Sequence, residues 1–469
     1  MARRLLSVKV NHCQIDFAMA INREQPPIKF SDLDPDSLRF GRFLSLVSHP
    51  AVSDANGKYR PWRKVKYLGG DALAAADLWG AVKLGRLGSR RVLPLRQIDG
   101  TPFCFCTIPS MLEKLHRVDH ACGGGGAAAF EDDEGLLRDP AIRARVAIRS
   151  LMDEAIESSR IEGAVTTREL ARDLLRSGRD AVTHHEKMVR NNYAGMQLIK
   201  KWLTRDLSVD MLCDLQAVLT QGTLDAEHQS GRLRRSDEPI DIVDVRTGEA
   251  IFTPPPAADL PDRLKQLCTF ANARHTGAAF IHPILKACVL HFMIGHEHPF
   301  VDGNGRTARA VFYWAALRAG YGVFEFLVIS ELILKALAKY PQAYVDSEID
   351  DGDLTYFLMY KLGVIDHALD RLAEHLAREQ QKIADGMRLL ALDPELNLRQ
   401  RLLLGHAMKH PGTTYTVASH STSNRITLVT ARTDLQGLVR RGLMGTSQAG
   451  KTVHYTLLPD AAARLRTLS

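Results

Sequence analysis

Residues 298–309, HPFVDGNGRTAR, set an imidazole, a carboxylate, an asparagine, two glycines and two guanidinium groups into an otherwise apolar part of the chain. Those types together suit the handling of a polyphosphate. Gly303 and Gly305 let a phosphate approach the backbone, and the unpaired N–H groups that open a helix, at the positive end of its dipole, favour an anion. Arg306 and Arg309 stand three apart on the helix that follows, so both can reach one anion. His298 is a proton acceptor of nearly suitable pKa just ahead of that site, and Asp302 is a hard oxygen ligand for magnesium. The alternative is a buried polar turn in which Asp302 pairs with Arg306 and His298 caps a helix. Burying all these groups without a ligand would leave several polar groups uncompensated, which favours the ligand.

Two helices must position this turn. FIHPILKACVLHFMIGHEH carries apolar residues at Ile281, Ile284, Leu285, Cys288, Val289, Phe292 and Met293, the spacing of a helix with a wide buried face. Gly303 and Gly305 break it. RTARAVFYWAALRAG then resumes helical spacing at Ala308, Val311, Phe312, Ala315 and Leu317 and stops at Gly320.

The stretch resembles the Fic signature H-x-F-x-[DE]-G-N-G-R-x-x-R at every specified position: His298, Phe300, Asp302, Gly303, Asn304, Gly305, Arg306 and Arg309. The resemblance extends roughly from residue 140 to 370, through GRLRRSDEPIDIVDVRTGEAIFTPPP ahead of the motif and NGRTARAVFYWAALRAGYGVFEFLVIS at its end. Members of the Fic (Fido) family mostly transfer AMP from ATP to a hydroxyl side chain of a protein. The kinase-like Doc branch carries a lysine where this chain has Gly305, so the resemblance implies a protein adenylyltransferase, releasing pyrophosphate, rather than a kinase. It implies His298 as the base toward a Tyr, Thr or Ser hydroxyl and Asp302 as holder of Mg²⁺. Gly303, Asn304 and Gly305 would cradle the α- and β-phosphates, with Arg306 and Arg309 on the pyrophosphate end. ATP comes from the resemblance alone, because no base pocket is legible in the sequence.

SSRIEG, residues 158–163, fits the family's inhibitory pattern [ST]-x-x-x-E-[GN], with Ser158, Glu162 and Gly163 on the specified positions. It lies on AIRSLMDEAIESSRIEGA, an amphipathic helix upstream of the signature. In the family this glutamate pairs with the second signature arginine, here Arg309, and keeps the γ-phosphate from its productive place, which implies autoinhibition in cis. In some relatives the same glutamate orients a water that removes AMP, so de-AMPylation is an alternative activity of the site.

PIDIVDVRTGEAIF alternates apolar residues at Ile240, Ile242, Val243 and Val245, turns at Arg246–Glu249 and returns through Ile251 and Phe252, a hairpin ended by Pro254–Pro256. The resemblance makes it the flap, whose free edge takes the target as an added strand. GRLR, Gly231–Arg234, precedes it and offers a basic contact to an unidentified group.

The 469 residues suggest three domains: an N-terminal region with linker (1–135), a Fic domain with its inhibitory helix (136–385) and a C-terminal winged helix (390–469). Apolar and charged content are ordinary, no apolar run is long enough to span a membrane, and MARRLL gives way to SVKVNHCQ rather than to the core of a signal peptide. Seven scattered cysteines fit a reduced, cytoplasmic protein, and neither HEH at 296–298 nor HH at 184–185 completes a zinc pattern. The net charge is +7; residues 397–469 hold ten Lys or Arg against two Asp, a net of +8, which leaves the first 396 residues at −1.

That basic tail reads as helix (LRQRLLLGHAMKH), short helix (TYTVASHSTSN), amphipathic helix with Val429, Leu435, Leu438 and Val439 on one side, and a hairpin turning at Gln448–Lys451. Three helices and a hairpin make a winged helix, and TARTDLQGLVRRGL resembles a recognition-helix region, so DNA is a candidate partner through 397–469. A nucleotide-sensing DNA-binding regulator is therefore the alternative to the enzyme. The resemblance also allows self-modification and pairing into a homodimer. The N-terminal region reads as strands about a turn at Asp99–Gly100 (RVLPLRQIDGTPFCFCTIP), a helix (MLEKLHRVD) and a linker (ACGGGGAAAFEDDEG), with no chemistry assigned. A long helix, DLTYFLMYKLGVIDHALDRLAEHLAREQQKIADGM, closes the bundle. The expected architecture is mainly α: a Fic bundle with a β-hairpin flap, plus the winged helix.

Overall fold

A computed structural model describes residues 11–15, 21–49, 52, 58–70, 74–122, 137, 140–244, 248–391, 395–409, 413–449, 452–461 and 464. Most of the linker, and the hairpin tip with Val245, Arg246 and Thr247, lie outside them. The fold is mainly helical and divides into two compact units, Met1–Asp370 and Arg371–Ser469.

The first unit begins with β1 (Asn11–Ile15), α1 (Leu38–Leu46), α2 (Trp62–Val65), α3 (Ala75–Arg86), β2 (Arg90–Arg96), β3 (Pro102–Cys106) and α4 (Pro109–Cys122). It continues through α5 (Pro140–Ile161), α6 (Arg168–Ser177), α7 (His184–Lys201), α8 (Val209–Thr220), β4 (Ile240–Asp244), β5 (Ala250–Phe252) and α9 (Leu260–Asn272). It closes with α10 (Pro283–Glu297), α11 (Asn304–Arg318), α12 (Ile329–Lys335), α13 (Lys339–Ile349) and α14 (Thr355–Ala391), which runs across the unit boundary.

α10 and α11 form the centre. Ile284, Ala287, Cys288, Val289, Phe292 and Ile294 of α10 are buried, as are Ala308, Ala310, Phe312 and Trp314 of α11, so both helices are enclosed on nearly every side. α10 opens on Pro283, with His282 Nδ1 accepting from the Ile284 N–H. α7 opens on a capping box in which Thr183 and Glu186 satisfy each other's backbone N–H groups. α5 packs against α7 and α12, where the Asn192 amide donates to Ala155 O (3.1 Å) and Ser159 Oγ (3.3 Å).

The N-terminal segment docks on this bundle. β2 and β3 form an antiparallel hairpin about Asp99–Gly100, and Cys104 bridges to Asp353. Trp62 and Trp79 meet edge to face over a small core with Phe43. Lys83, fully buried, reaches Asp350 (2.5 Å) and Asp351 (2.7 Å), and Arg63 grips Asp346 through two bonds of 2.8 Å. Charges buried in pairs keep such a docking specific, because separating them would strand an ion.

The flap strands β4 and β5 pair antiparallel, Ile242 opposite Phe252, with an irregularity before Val243. The sheet order is β1-β4-β5, with Asn11–Ile15 parallel to Ile240–Asp244. One outer edge of the hairpin, that of β4, is thus paired, by a segment more than two hundred residues away in sequence, while β5 is the edge strand of this sheet among the described residues.

The second unit holds α15 (Leu398–Lys409), β6 (Thr414–Tyr415), α16 (Val417–Asn424), α17 (Leu428–Arg440), β7 (Met444–Ala449) and β8 (Thr452–Leu457), with strand order β6-β8-β7. Its core joins Leu404, Leu435, Leu438, Leu443 and Tyr455. Leu435 and Leu438 face inward as expected, but Val429, in the first turn of α17, is 77% exposed and does not join them.

Candidate active site

α10 ends at His298, which takes left-handed φ 46° while its N–H donates to Ile294 O (3.1 Å). His298 Nδ1 lies 3.2 Å from the Gly295 carbonyl. A carbonyl only accepts, so Nδ1 carries the proton and Nε2 keeps its lone pair. Burial lowers this imidazole from its ordinary 6.5 to about 4; the Arg234 charge works in the same direction, against the Gly295 bond, Glu162 and Asp302. His298 is therefore neutral at pH 7, the form that can accept a proton.

The turn after it is tied from inside. Asn304 accepts from the Phe300 N–H (2.9 Å) and donates to the Phe300 carbonyl (2.8 Å), closing 300–304 into a loop. Its Oδ1 and one of the two amide hydrogens are used there, which leaves the second amide hydrogen for another acceptor. Gly303, at φ 88°, caps α11, and a Cβ there would lie 2.9 Å from Thr220 Cγ2, so only glycine fits. Gln216, fully buried on α8, donates to Asp302 O (3.1 Å) and accepts from the Gly231 N–H (2.7 Å), joining the turn to the loop before the flap.

The two arginines diverge. Arg306, 1% exposed, donates to Leu219 O (2.7 Å) and Asp302 Oδ2 (2.9 Å) and forms no part of the cavity wall. Leu219 lies in the last turn of α8, where carbonyls lack helical partners and attract a cation. In this structure Arg306 thus ties the turn to α8, while Arg309 faces the cavity. The Nε of Arg309 donates to Ser158 Oγ (2.7 Å) and its Nη2 to Ser158 O (2.9 Å) and Glu162 Oε1 (2.8 Å). Nη1 is buried with no hydrogen-bond partner among the described residues, a donor waiting for an acceptor.

α5 ends at Ile161, and Gly163, at φ 88°, turns the chain so that Glu162 reaches over α11. A Cβ on Gly305 would fall 2.2 Å from Glu162 Oε1, so glycine there is what lets the carboxylate approach. Ser158, Glu162 and Arg309, separated by about 150 residues, are thus in direct contact.

The cavity, about 520 Å³, lies between this floor and the flap. Ile242, Ile251 and Phe252 face it, whereas Ile240 and Val243, 4% and 5% exposed, pack away from it. Its far wall is α13, with Tyr340, Tyr344 and Glu348, none of which stands out in the sequence. Tyr340 OH is 2.7 Å from His291 Nε2, and Glu348, pushed up by burial, accepts from His296 at 3.1 Å. Asp302 opens onto the cavity with its side chain 48% exposed, one oxygen held by Arg306. Asp302 is the carboxylate of the turn itself, and its free oxygen would suit Mg²⁺, which takes few protein ligands.

A glycine-containing turn that opens a helix, a neutral histidine and a carboxylate thus lie around one cavity of a helical bundle. Residues 206–316 match the model of the Fic/DOC family. The protein adenylyltransferase Fic of Drosophila melanogaster is 28% identical over 198 residues, 41% of this chain and 37% of that protein. The Drosophila virilis protein of the same name is 30% identical over 165 residues, 34% of this chain and 32% of that protein. The chain thus spans about a third of these relatives' length. Among solved structures, a Fic family protein from Desulfovibrio desulfuricans G20 is similar at TM-score 0.49 and 18% identity, covering 76% of this chain and 98% of that one. C. elegans Fic-1 is similar at TM-score 0.43 and 20% identity, over 58% and 73%.

Proposed function

We propose that this chain is a protein adenylyltransferase, braked in cis by Glu162. The observation that carries the reading is the three-bond clasp of Arg309 by Ser158 and Glu162 in the wall of a cavity that a neutral His298 also lines. ATP would lie with its phosphates over Gly303–Gly305. The target hydroxyl oxygen attacks the α-phosphorus, its proton passes to His298 Nε2, and the bond to the β-phosphate breaks to release pyrophosphate. Asp302 would hold Mg²⁺, which supplies charge neutralisation to the phosphates. Arg309, once free of Glu162, offers Nη1 and Nη2 to the terminal phosphate. Mass spectrometry of the acceptor tests this: an adenylyl adduct on Tyr, Thr or Ser supports it, and a phosphoryl adduct contradicts it.

A target that adds to β4 would replace β1 on that edge. Deleting residues 1–20 is then expected to raise target modification about fivefold, the effect of roughly 1 kcal/mol of strand pairing, with ATP affinity unchanged. An unaltered rate would remove β1 from the target's path.

The second unit favours an added role. We read its helix–strand–helix–helix–hairpin order as a winged helix, with Arg432, Thr433, Gln436 and Arg440 exposed along α17. Asp434, by contrast, is buried and spent on Arg399 (2.7 Å) and Asn397 (2.8 Å), so the outer face is left cationic. Duplex DNA binding that weakens steeply with salt, and is lost in Arg432→Ala, Arg440→Ala, is the expected result. Binding that ignores both substitutions would leave this unit to protein contacts.

A further inference from the structure

We propose that Arg234 is a positioning residue that locks the root of the flap to the catalytic histidine. The inference rests on the AMP-transfer reading and assigns a residue to that site's geometry. Arg234 lies in the loop between α8 and β4 and is 6% exposed. Among the described residues no carboxylate pairs with it; Glu297, the nearest acid in effect, is taken by Arg263 through bonds of 2.5 and 2.9 Å. A buried cation without a counter-ion is costly unless its donors are filled. Here they are filled by backbone carbonyls. Nε donates to His298 O (2.8 Å), Nη2 donates to Pro255 O and, at 3.5 Å, to Glu297 O, and the Arg234 N–H itself donates to Pro299 O (2.9 Å).

Each carbonyl belongs to a piece that must be in register for transfer. Glu297 and His298 close α10, where carbonyls lack helical partners and a cation is favoured by the dipole. His298 is held at a left-handed φ that a residue with a Cβ adopts only when its surroundings enforce it. Pro255 stands three residues after the end of β5, in the segment by which the hairpin returns to the bundle. A guanidinium presents its donors in fixed directions, so one side chain sets the distance between flap root and His298 in a way a flexible ammonium cannot. The target's hydroxyl and its proton acceptor are then carried by two elements that meet at Arg234, whereas among the described residues its hydrogen bonds do not extend to 303–305 or to Arg309.

The test compares Glu162→Gly with Glu162→Gly carrying Arg234→Met or Arg234→Lys, by hydrogen exchange, ATP affinity and AMP incorporation. In the methionine variant, amides of 250–256 and 296–300 are expected to exchange faster while α7, α11 and α14 keep their protection. Its kcat is expected to fall about 10²-fold, the effect of a misplacement of order 1 Å, with ATP affinity unchanged. Lysine is expected to restore thermal stability but not kcat. Unchanged exchange and kcat in the methionine variant, full recovery of kcat with lysine, or faster exchange throughout the first unit would each overturn the assignment. If Glu162→Gly itself transfers no AMP, the functional reading fails, and the exchange comparison still decides whether Arg234 joins the flap to His298.

Discussion

Replacing Glu162 with glycine is expected to raise AMP transfer by about 10²- to 10³-fold. The pair it forms with Arg309 is mostly out of water, the arginine side chain 3% exposed and the carboxylate 21%. Removing one partner of a buried pair changes the balance by about 3–5 kcal/mol, and the exposure of Glu162 places this one toward the lower end. Holding a site at 99:1 and releasing it to 1:99 takes about 5.5 kcal/mol. Glu162 therefore supplies most of a full switch, and a residual wild-type rate is part of the expectation. In the variant, Arg309 remains seated on Ser158 through Nε and one bond of Nη2, so its position survives while its outer edge is freed. Initial rates at saturating ATP check this. Equal rates in the two proteins would mean that the contact with Arg309 is only structural.

Adding His298→Ala to that variant is expected to lower transfer by about 10²- to 10⁴-fold, the range lost with a general base, while ATP still binds. The pH dependence carries the same claim. The acceptor is the neutral imidazole, so activity falls as pH drops through the histidine's pKa. With that pKa near 4 rather than 6.5, kcat/KM in Glu162→Gly should stay level from pH 8 down to pH 5 and fall only below that. An acid limb centred at 6.5 would show that His298 is not held neutral by burial in the working enzyme.

The sequence was most legible where chemistry and spacing coincide in one segment. His298, Asp302, Gly303, Gly305 and Arg309 all reach the cavity because a helix, a tight turn and a second helix fix their directions locally. Arg306 follows the same spacing yet turns away, because its partner is a carbonyl of α8 nearly ninety residues earlier, which no periodicity reveals. Gln216, Tyr340 and Glu348 escape for the same reason: Gln216 meets the turn, and the other two reach the cavity wall, only after distant helices pack. GRLR stands out by its charge, but the three carbonyls that receive the Arg234 side chain carry no side-chain signature. In the N-terminal region the hairpin about Asp99–Gly100 was readable from its turn, whereas Lys83 and its partners Asp350 and Asp351 are joined only by docking.

The most direct test of AMP transfer under a glutamate brake is incubation of wild type, Glu162→Gly and Glu162→Gly, His298→Ala with Mg²⁺ and ATP labelled at either the α- or the γ-phosphate. Label from the α position on protein, strong in the single variant, weak in wild type and absent in the double, is the expected result. Label from the γ position alone, or no label in Glu162→Gly while ATP still binds, would contradict the account.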